Sequence, residues 1–243
     1  MTIRERADRL LVARGLFESR ARAQAAIAAG RVTADGIAVR KASDEISPSA
    51  VIAAEPEHPY VSRGGVKLAV ALDHFGIDVA GCVCLDVGAS TGGFTEVLLA
   101  RGAACVYAVD VGSGQLHARL RGRGDVVCME QTDIRKLDRS LLARQPDFAT
   151  IDVSFISLKL VLPAIGKLLI PRARILALIK PQFETNRQGV KKGIVRDEAV
   201  HAAICDDISA FLTGLGWRVG GIVASAIRGG DGNREFFVAA ERG

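Results

Sequence analysis

Aromatic residues are scarce in this 243-residue chain: one Trp, two Tyr and nine Phe make up 5% of it, although 49% is hydrophobic. The apolar content is therefore Ala, Val, Leu and Ile, as a buried parallel sheet wrapped in helices would use, which excludes a disordered or fibrous chain. No stretch reaches the roughly 18 apolar residues of a membrane span, and the charged N-terminus lacks a following apolar segment. A soluble, unexported protein without membrane contacts is expected. The five cysteines (Cys82, Cys84, Cys105, Cys128 and Cys205) are odd in number. The first four fall in apolar runs, and no second Cys/His pair stands at a zinc-like spacing from Cys82 and Cys84. Buried free thiols in a reducing cytoplasm, with no metal, are the expectation. Internal repeats and low-complexity tracts are absent as well, and the length suits a small module joined to a medium-sized domain.

Charge is present and unevenly spread. The net charge is +5, and residues 1–50 carry nine Lys/Arg against six Asp/Glu, so most of the excess lies in the first fifth of the chain. A polyanionic partner fits that end. Residues 6–14 predict a short amphipathic helix stopped by Gly15, and Ser19 predicts the cap of a second helix, Arg20 to Ala29, ended by Gly30. The runs Arg31-Val-Thr and Ile37-Ala-Val flank Asp35-Gly36, the signature of a β-hairpin turn. This helix-helix-hairpin order resembles the small α+β RNA-binding module named after ribosomal protein S-four. The resemblance implies that Arg20, Arg22, Arg31, Arg40 and Lys41 line its RNA-facing side, and Arg63 is a further candidate contact. Two prolines in Glu55-Pro-Glu-His-Pro predict a linker, giving an RNA-binding domain over 1–55, a linker over 56–62 and a larger domain over 63–243.

From about residue 81 apolar runs alternate with helical patterns. Strands are predicted at 82–87, 105–110, 126–129, 148–153, 174–179, 218–225 and 235–240, with helices near 93–101, 115–121, 158–169 and 196–214. That rhythm predicts an α/β doubly wound sheet of seven strands, mostly parallel. Only nine residues, Ala226 to Arg234, join the last two strands, too few for a helical crossover, so these should pair antiparallel. A parallel nucleotide-binding sheet with such an ending resembles the class I (Rossmann-like) methyltransferase fold more than a dehydrogenase.

The segment Leu85-Asp-Val-Gly-Ala-Ser-Thr-Gly-Gly-Phe-Thr puts glycines at the exit of the first strand, where the backbone must turn and let a ligand approach. It is neither the dinucleotide fingerprint, since Ser90 holds the second glycine position, nor a phosphate-binding Gly-Lys-Ser/Thr loop. Asp110, ending the next strand, suits the two hydroxyls of an adenosine ribose, and Asp133, after the third, suits the adenine amino group. Singly, Asp86 or Asp133 also fits a turn or cap. In this order, Asp86, Gly88, Ala89, Ser90, Thr91, Gly92, Gly93, Phe94, Asp110 and Asp133 point to S-adenosylmethionine as cofactor.

Lys67, Asp152, Lys180 and Glu235 lie where such a fold converges its strand ends. A lysine can serve as base toward a weak hydroxyl nucleophile when its surroundings lower its pKa, and a carboxylate can hold it in register. Singly, Lys67 also fits a surface lysine, Asp152 a helix cap, Lys180 a strand-end charge, and Glu235 a partner of Arg234 or Arg228. Phe155, Phe183 and Phe236 stand beside these residues and suit either stacking on a flipped base or, as phenylalanine next to a strand more often does, the core.

The blocks Tyr60-Val-Ser-Arg-Gly-Gly-Val-Lys-Leu, the glycine loop, Asp152-Val-Ser-Phe-Ile-Ser-Leu, Ile179-Lys-Pro-Gln-Phe-Glu and Gly232-Asn-Arg-Glu-Phe together closely resemble the TlyA, or hemolysin A-like, family over nearly the whole chain. The resemblance implies a ribosomal RNA ribose 2′-O-methyltransferase with a Lys-Asp-Lys-Glu tetrad on an FtsJ-like fold. It makes Lys180 the general base, oriented by Asp152, with Lys67 and Glu235 positioning the ribose. It also implies a cytidine of large-subunit ribosomal RNA as target, with a second in small-subunit RNA for some members; ribosomal RNA and ribosomal subunits are the expected partners, and a monomer is expected. Three rivals are a membrane-active hemolysin, which needs an amphipathic or spanning segment not found here; an RNA-binding assembly factor with an inactive methyltransferase fold, which has no use for the tetrad; and a NAD-dependent dehydrogenase, disfavoured by the loop and the final hairpin.

Overall fold

In a computed structural model of the chain, describing residues 4–185 and 193–243, two compact units are found, Met1–Pro59 and Tyr60–Gly243. The first contains β1 (Glu5–Arg6), α1 (Ala7–Ala13), α2 (Arg20–Ala28), β2 (Val32–Ala34), β3 (Ile37–Ala38), β4 (Glu45–Ile46) and β5 (Ile52–Ala54). Ser19 caps α2 by accepting a hydrogen bond from Arg22 N at 3.3 Å. Asp35 and Gly36 turn the β2–β3 hairpin with φ of 52° and 77°, the paired positive φ of a type I′ turn. The short strands β1, β4 and β5 were not expected from the sequence; β5 adds to β2 and β4 pairs with β1. Leu10, Leu11, Phe17, Ile27 and Val32 form this unit's own small core.

The second unit runs α3 (Arg63–Phe75), β6 (Val83–Val87), α4 (Gly93–Ala100), β7 (Cys105–Val109), β8 (Val126–Met129), β9 (Phe148–Ile151), α5 (Leu158–Leu168), β10 (Ala173–Ile179), α6 (Pro181–Glu184), α7 (Glu198–Gly214), β11 (Arg218–Ala224) and β12 (Phe236–Arg242), with two single-turn 3₁₀ segments after β8. The seven-stranded sheet has the order β11-β12-β10-β9-β6-β7-β8. Its members from β10 to β8 are parallel, and β12 pairs antiparallel with both β10 and β11. Alternate residues feed two cores. Leu85, Val87, Ile151, Ile175 and Val238 pack on α5 and α7. Cys84, Val106, Phe148, Leu176 and Phe237 pack on α3 and α4. This division between faces is the period of two expected of strands covered on both sides.

The helix expected at 115–121 is absent. The amides of Gly114, Gln115 and Leu116 donate instead to the Glu130 carboxylate at 2.6, 2.7 and 2.8 Å. One turn closes on His117 O before Gly122, at φ 86°, ends it. Conversely, α3 forms in the segment read only as preceding the first strand. Its apolar face packs on α4, and Gly76, at φ 60°, terminates it. All five cysteines are free; Cys84 and Cys205 are buried, while Cys82, Cys105 and Cys128 are only partly so.

Candidate active site at the sheet's switch point

After β6 the chain goes to β7 and β8 on one side, then returns to lay β9 against the other side of β6. Ligands of open α/β sheets bind at the carboxyl ends of strands flanking such a reversal. The loops after β6 and β9 meet there: Asp152 N donates to Val87 O at 2.8 Å. A Cβ on Gly88, whose φ is 82°, would stand 2.5 Å from Asp152 O, so only glycine allows this approach. Beside it opens a cavity of about 390 Å³ lined by Gly88, Ser90, Asp110, Asp133, Asp152 and Phe155 among others.

Of the residues expected to hold the cofactor, Gly88, Ser90, Asp110 and Asp133 line this cavity; Asp86, Ala89, Thr91, Gly92, Gly93 and Phe94 do not. Asp110 accepts from Ser90 N at 2.8 Å and Gly112 N at 2.7 Å, so both carboxylate oxygens are fixed by the backbone. Each oxygen retains a lone pair for a ribose hydroxyl. Asp133 is bound by Arg135, at 2.6 Å, and this guanidinium holds its carboxyl below the usual range. Asp86 is fully buried and accepts from Thr95 Oγ1 at 2.6 Å and Thr150 Oγ1 at 3.0 Å. Burial pushes its carboxyl up to about 7 against the pull of those hydroxyls. It ties the loop to α4 and β9 from within. Phe94 packs on Phe237 in the core at 6.1 Å.

The four tetrad candidates form two ion pairs. Lys180 Nζ lies 2.6 Å from Asp152 Oδ1 and donates to Ser154 Oγ at 2.8 Å. Lys67 Nζ, from α3, meets Glu235 Oε2 at 2.5 Å, with side chains only 10% and 4% exposed. Glu235 therefore does not take the nearby arginines: Arg234 pairs with Glu198, and Arg228 donates to Gly232 O. Asp152 follows β9, Lys180 follows β10, and Glu235 precedes β12. Since Ile179 and Phe236 are partners across β10 and β12, Lys180 and Glu235 stand one residue beyond that pair, at the same end of the sheet. Gly229 closes over Glu235; a Cβ there would be 2.5 Å from Oε1.

Phe155 is 91% exposed, has a φ of 64° and tilts against Phe183 at 5.0 Å. Phe236 is partly buried against His201. Arg63 is exposed, near the loop carrying Gly230. In the first unit Arg20 is half exposed and held at 2.6 Å by the buried Asp8, Arg31 pairs with Glu55 at 3.1 Å, and Arg40 and Lys41 are exposed; Arg22 is partly buried. Sequence reasoning missed Ser154, Glu130 and Glu184. Ser154 and Glu184 lie inside the quoted motifs, which was the available signal; Glu130 carries none.

A doubly wound sheet with β12 inserted antiparallel, a ribose-suited acid after its second strand and this cavity define an S-adenosylmethionine-dependent methyltransferase. The chain belongs to the FtsJ-like methyltransferase family, whose model matches residues 60–242, and it resembles the TlyA, or hemolysin A-like, proteins over nearly its whole length. Residues 5–52 match the S4 domain. The 16S/23S rRNA (cytidine-2′-O)-methyltransferase TlyA of Mycobacterium tuberculosis is 43% identical over 98% of this chain and 90% of its own. Hemolysin A of Brachyspira hyodysenteriae is 38% identical, over 95% and 97% respectively. The solved structure of a Streptococcus thermophilus protein described as a hemolysin superposes with a TM-score of 0.78 and 41% identity, covering 100% of this chain and 90% of that one. Among the described residues no helix is long and apolar enough to cross a membrane.

Proposed function

We propose that the chain methylates the ribose 2′-hydroxyl of a cytidine in ribosomal RNA, in the large subunit and also in the small one if it follows its tuberculosis relative. The observation that carries this reading is the Lys180–Asp152 pair, 2.6 Å, on the rim of the Gly88–Asp110 cavity. Gly88, Ser90, Asp110 and Asp133 would hold S-adenosylmethionine, which would supply an electrophilic methyl group on a sulfonium to the ribose oxygen and leave as the neutral thioether. Lys180 supplies the base. Ser154 Oγ takes one of the amine's hydrogens, and Asp152 stands at ion-pair distance from it. The hydroxyl would meet the amine at a remaining position: the ammonium of the resting pair first gives up a proton, and the lone pair so exposed takes the hydroxyl's. The Lys67–Glu235 pair, fixed from α3 and Gly229, positions the ribose beside it. Phe155 offers an exposed ring to the base, with Phe183 behind it.

In this reading residues 1–55 act as the RNA-binding domain, 56–62 as linker and 63–243 as the catalytic domain. Arg20, Arg22, Arg31, Arg40, Lys41 and Arg63 meet phosphates, and the chain works as a monomer in the cytoplasm, where its ribosomal substrate lies, without a membrane. The match to the S4 domain supports the first part.

Methyl transfer from labelled S-adenosylmethionine to naked ribosomal RNA, separate subunits and whole ribosomes tests it. Wild type is expected to leave a 2′-O-methylated cytidine, and Lys180→Ala to lose about 100-fold or more of the rate. Full transfer by Lys180→Ala refutes the base. No transfer by wild type to any substrate favours an RNA-binding factor instead.

A further inference from the structure

The block Ile179-Lys-Pro-Gln-Phe-Glu ends in Glu184, which the chemistry above does not use. Its side chain crosses to the neighbouring loop. Oε2 accepts from Ser157 Oγ at 2.5 Å, and Oε1 accepts from Leu158 N at 2.8 Å. Leu158 opens α5, and Ser157 is the residue that caps it, accepting from Lys159 N at 3.2 Å. Glu184 thus satisfies one of the amides that the first turn of a helix leaves free.

Two further ties join the same two loops. At the strand ends Lys180 meets Asp152 and Ser154; midway, Phe183 meets Phe155. The segments 152–157 and 180–184 are therefore strapped at both ends and in the middle. The middle tie involves Phe155, a non-glycine residue at φ 64° that needs its surroundings to hold it. The Lys180 tie sits at the ends of β9 and β10; the Glu184 tie anchors the far end of the two loops to the eleven-residue α5, whose inner face is buried on the sheet. Burial raises the Glu184 carboxyl above its ordinary value, as expected of a group enclosed between the two loops.

We propose that Glu184 is a positioning residue for methyl transfer: by bonding the first turn of α5 it fixes the spacing of the two loops and so holds Lys180 on Asp152. This rests on the reading of Lys180 as the base. A mere capping residue would alter stability and leave the turnover of folded enzyme alone. A spacer alters turnover and leaves cofactor affinity alone, because neither Glu184 nor Ser157 lines the cavity.

The test uses the full chain and the ribosomal substrate that wild type methylates, with Glu184→Ala, Glu184→Gln, Ser157→Ala and Lys180→Ala measured side by side. Turnover at saturation, S-adenosylmethionine affinity by calorimetry and a crystal structure are the readouts. Glu184→Ala is expected to lose about 10- to 100-fold in turnover with cofactor affinity within about twofold, since a displacement of about 1 Å costs on that order. Its crystal structure should have Lys180 Nζ withdrawn from Asp152. Glu184→Gln, whose carbonyl still accepts from Leu158 N while its amide meets the Ser157 hydroxyl, should recover to within a few-fold of wild type. Turnover of Glu184→Ala within twofold of wild type, an undisturbed Lys180–Asp152 contact, or an equal loss in Glu184→Gln overturns the proposal. If Glu184→Ala does not fold, Ser157→Ala decides: a several-fold loss of turnover supports the strap and an unchanged value overturns it. Full activity in Lys180→Ala overturns the base itself, whereas full activity in Glu184→Ala with an inactive Lys180→Ala overturns only the strap.

Discussion

Lys67→Met removes an ammonium and keeps the length of the side chain. It leaves the Glu235 carboxylate, 4% exposed, without the partner that stood 2.5 Å away. Gly229 closes over Oε1, so the carboxylate has little room to turn toward solvent. Arg234 and Arg228, its neighbours in sequence, are engaged with Glu198 and Gly232. Removing one member of a buried pair costs about 3–5 kcal/mol, because the other remains desolvated. At about 2–4 °C per kcal/mol for a domain of this size, the catalytic unit should melt on the order of 10 °C lower. Guanidinium unfolding should give the same loss as a shift in midpoint at constant slope. The double variant Lys67→Met/Glu235→Leu removes both charges and should return to within about 1 kcal/mol of wild type while remaining inactive in methyl transfer. That combination separates the pair's structural cost from its part in the reaction. A loss below about 1 kcal/mol for Lys67→Met, the value of an exposed pair, would refute the reasoning. So would an active double variant.

Two other expectations concern the cofactor loop. Asp86 is pushed up to about 7 in the folded state, whereas the same carboxyl in an unfolded chain ionises near its ordinary value of 3.8. Between these values the folded protein binds more protons, so stability falls as pH rises through that window and levels off above it. The span amounts to at most about 4 kcal/mol. Asp86→Asn should flatten this part of the dependence, read as melting temperature from about pH 4 to pH 8; an unaltered slope would rule out Asp86 as its source. Gly88→Ala puts a methyl 2.5 Å from Asp152 O at a φ of 82° and should abolish S-adenosylmethionine binding. Gly122→Ala, at φ 86° with nothing within 4 Å, bears only the backbone strain and should bind normally; equal behaviour of the two in calorimetry would exclude the close approach as the cause.

What was legible beforehand follows the range of the interactions involved. All seven strands of the main sheet lie close to their apolar runs. Ser19 and the Asp35–Gly36 turn act as their side chains and backbone freedom dictate. The segment 115–121 went wrong because its amides are claimed by Glu130, which the spacing of apolar residues does not reveal. Helix α3 was overlooked because a run of glycine, serine and arginine begins it, and its packing on α4 outweighs their weak local preference. Asp86 stands in the cofactor loop's motif, and its partners in the structure, hydroxyls on α4 and β9, are brought to it by packing that the motif does not spell out.

Composition and pattern by themselves determined the class of sheet, the glycine loop at its first strand, the acids after the next two, and the four residues worth watching, since each depends on local periodicity or on a motif. Only the tertiary structure decided how those four pair. Lys67 reaches Glu235 across 168 residues because β12 inserts between β10 and β11, and Lys180 reaches Asp152 because β9 and β10 lie side by side. Which charge neutralises which is a property of distance and burial. Those are fixed when strand ends are brought together, and no spacing along the chain encodes them.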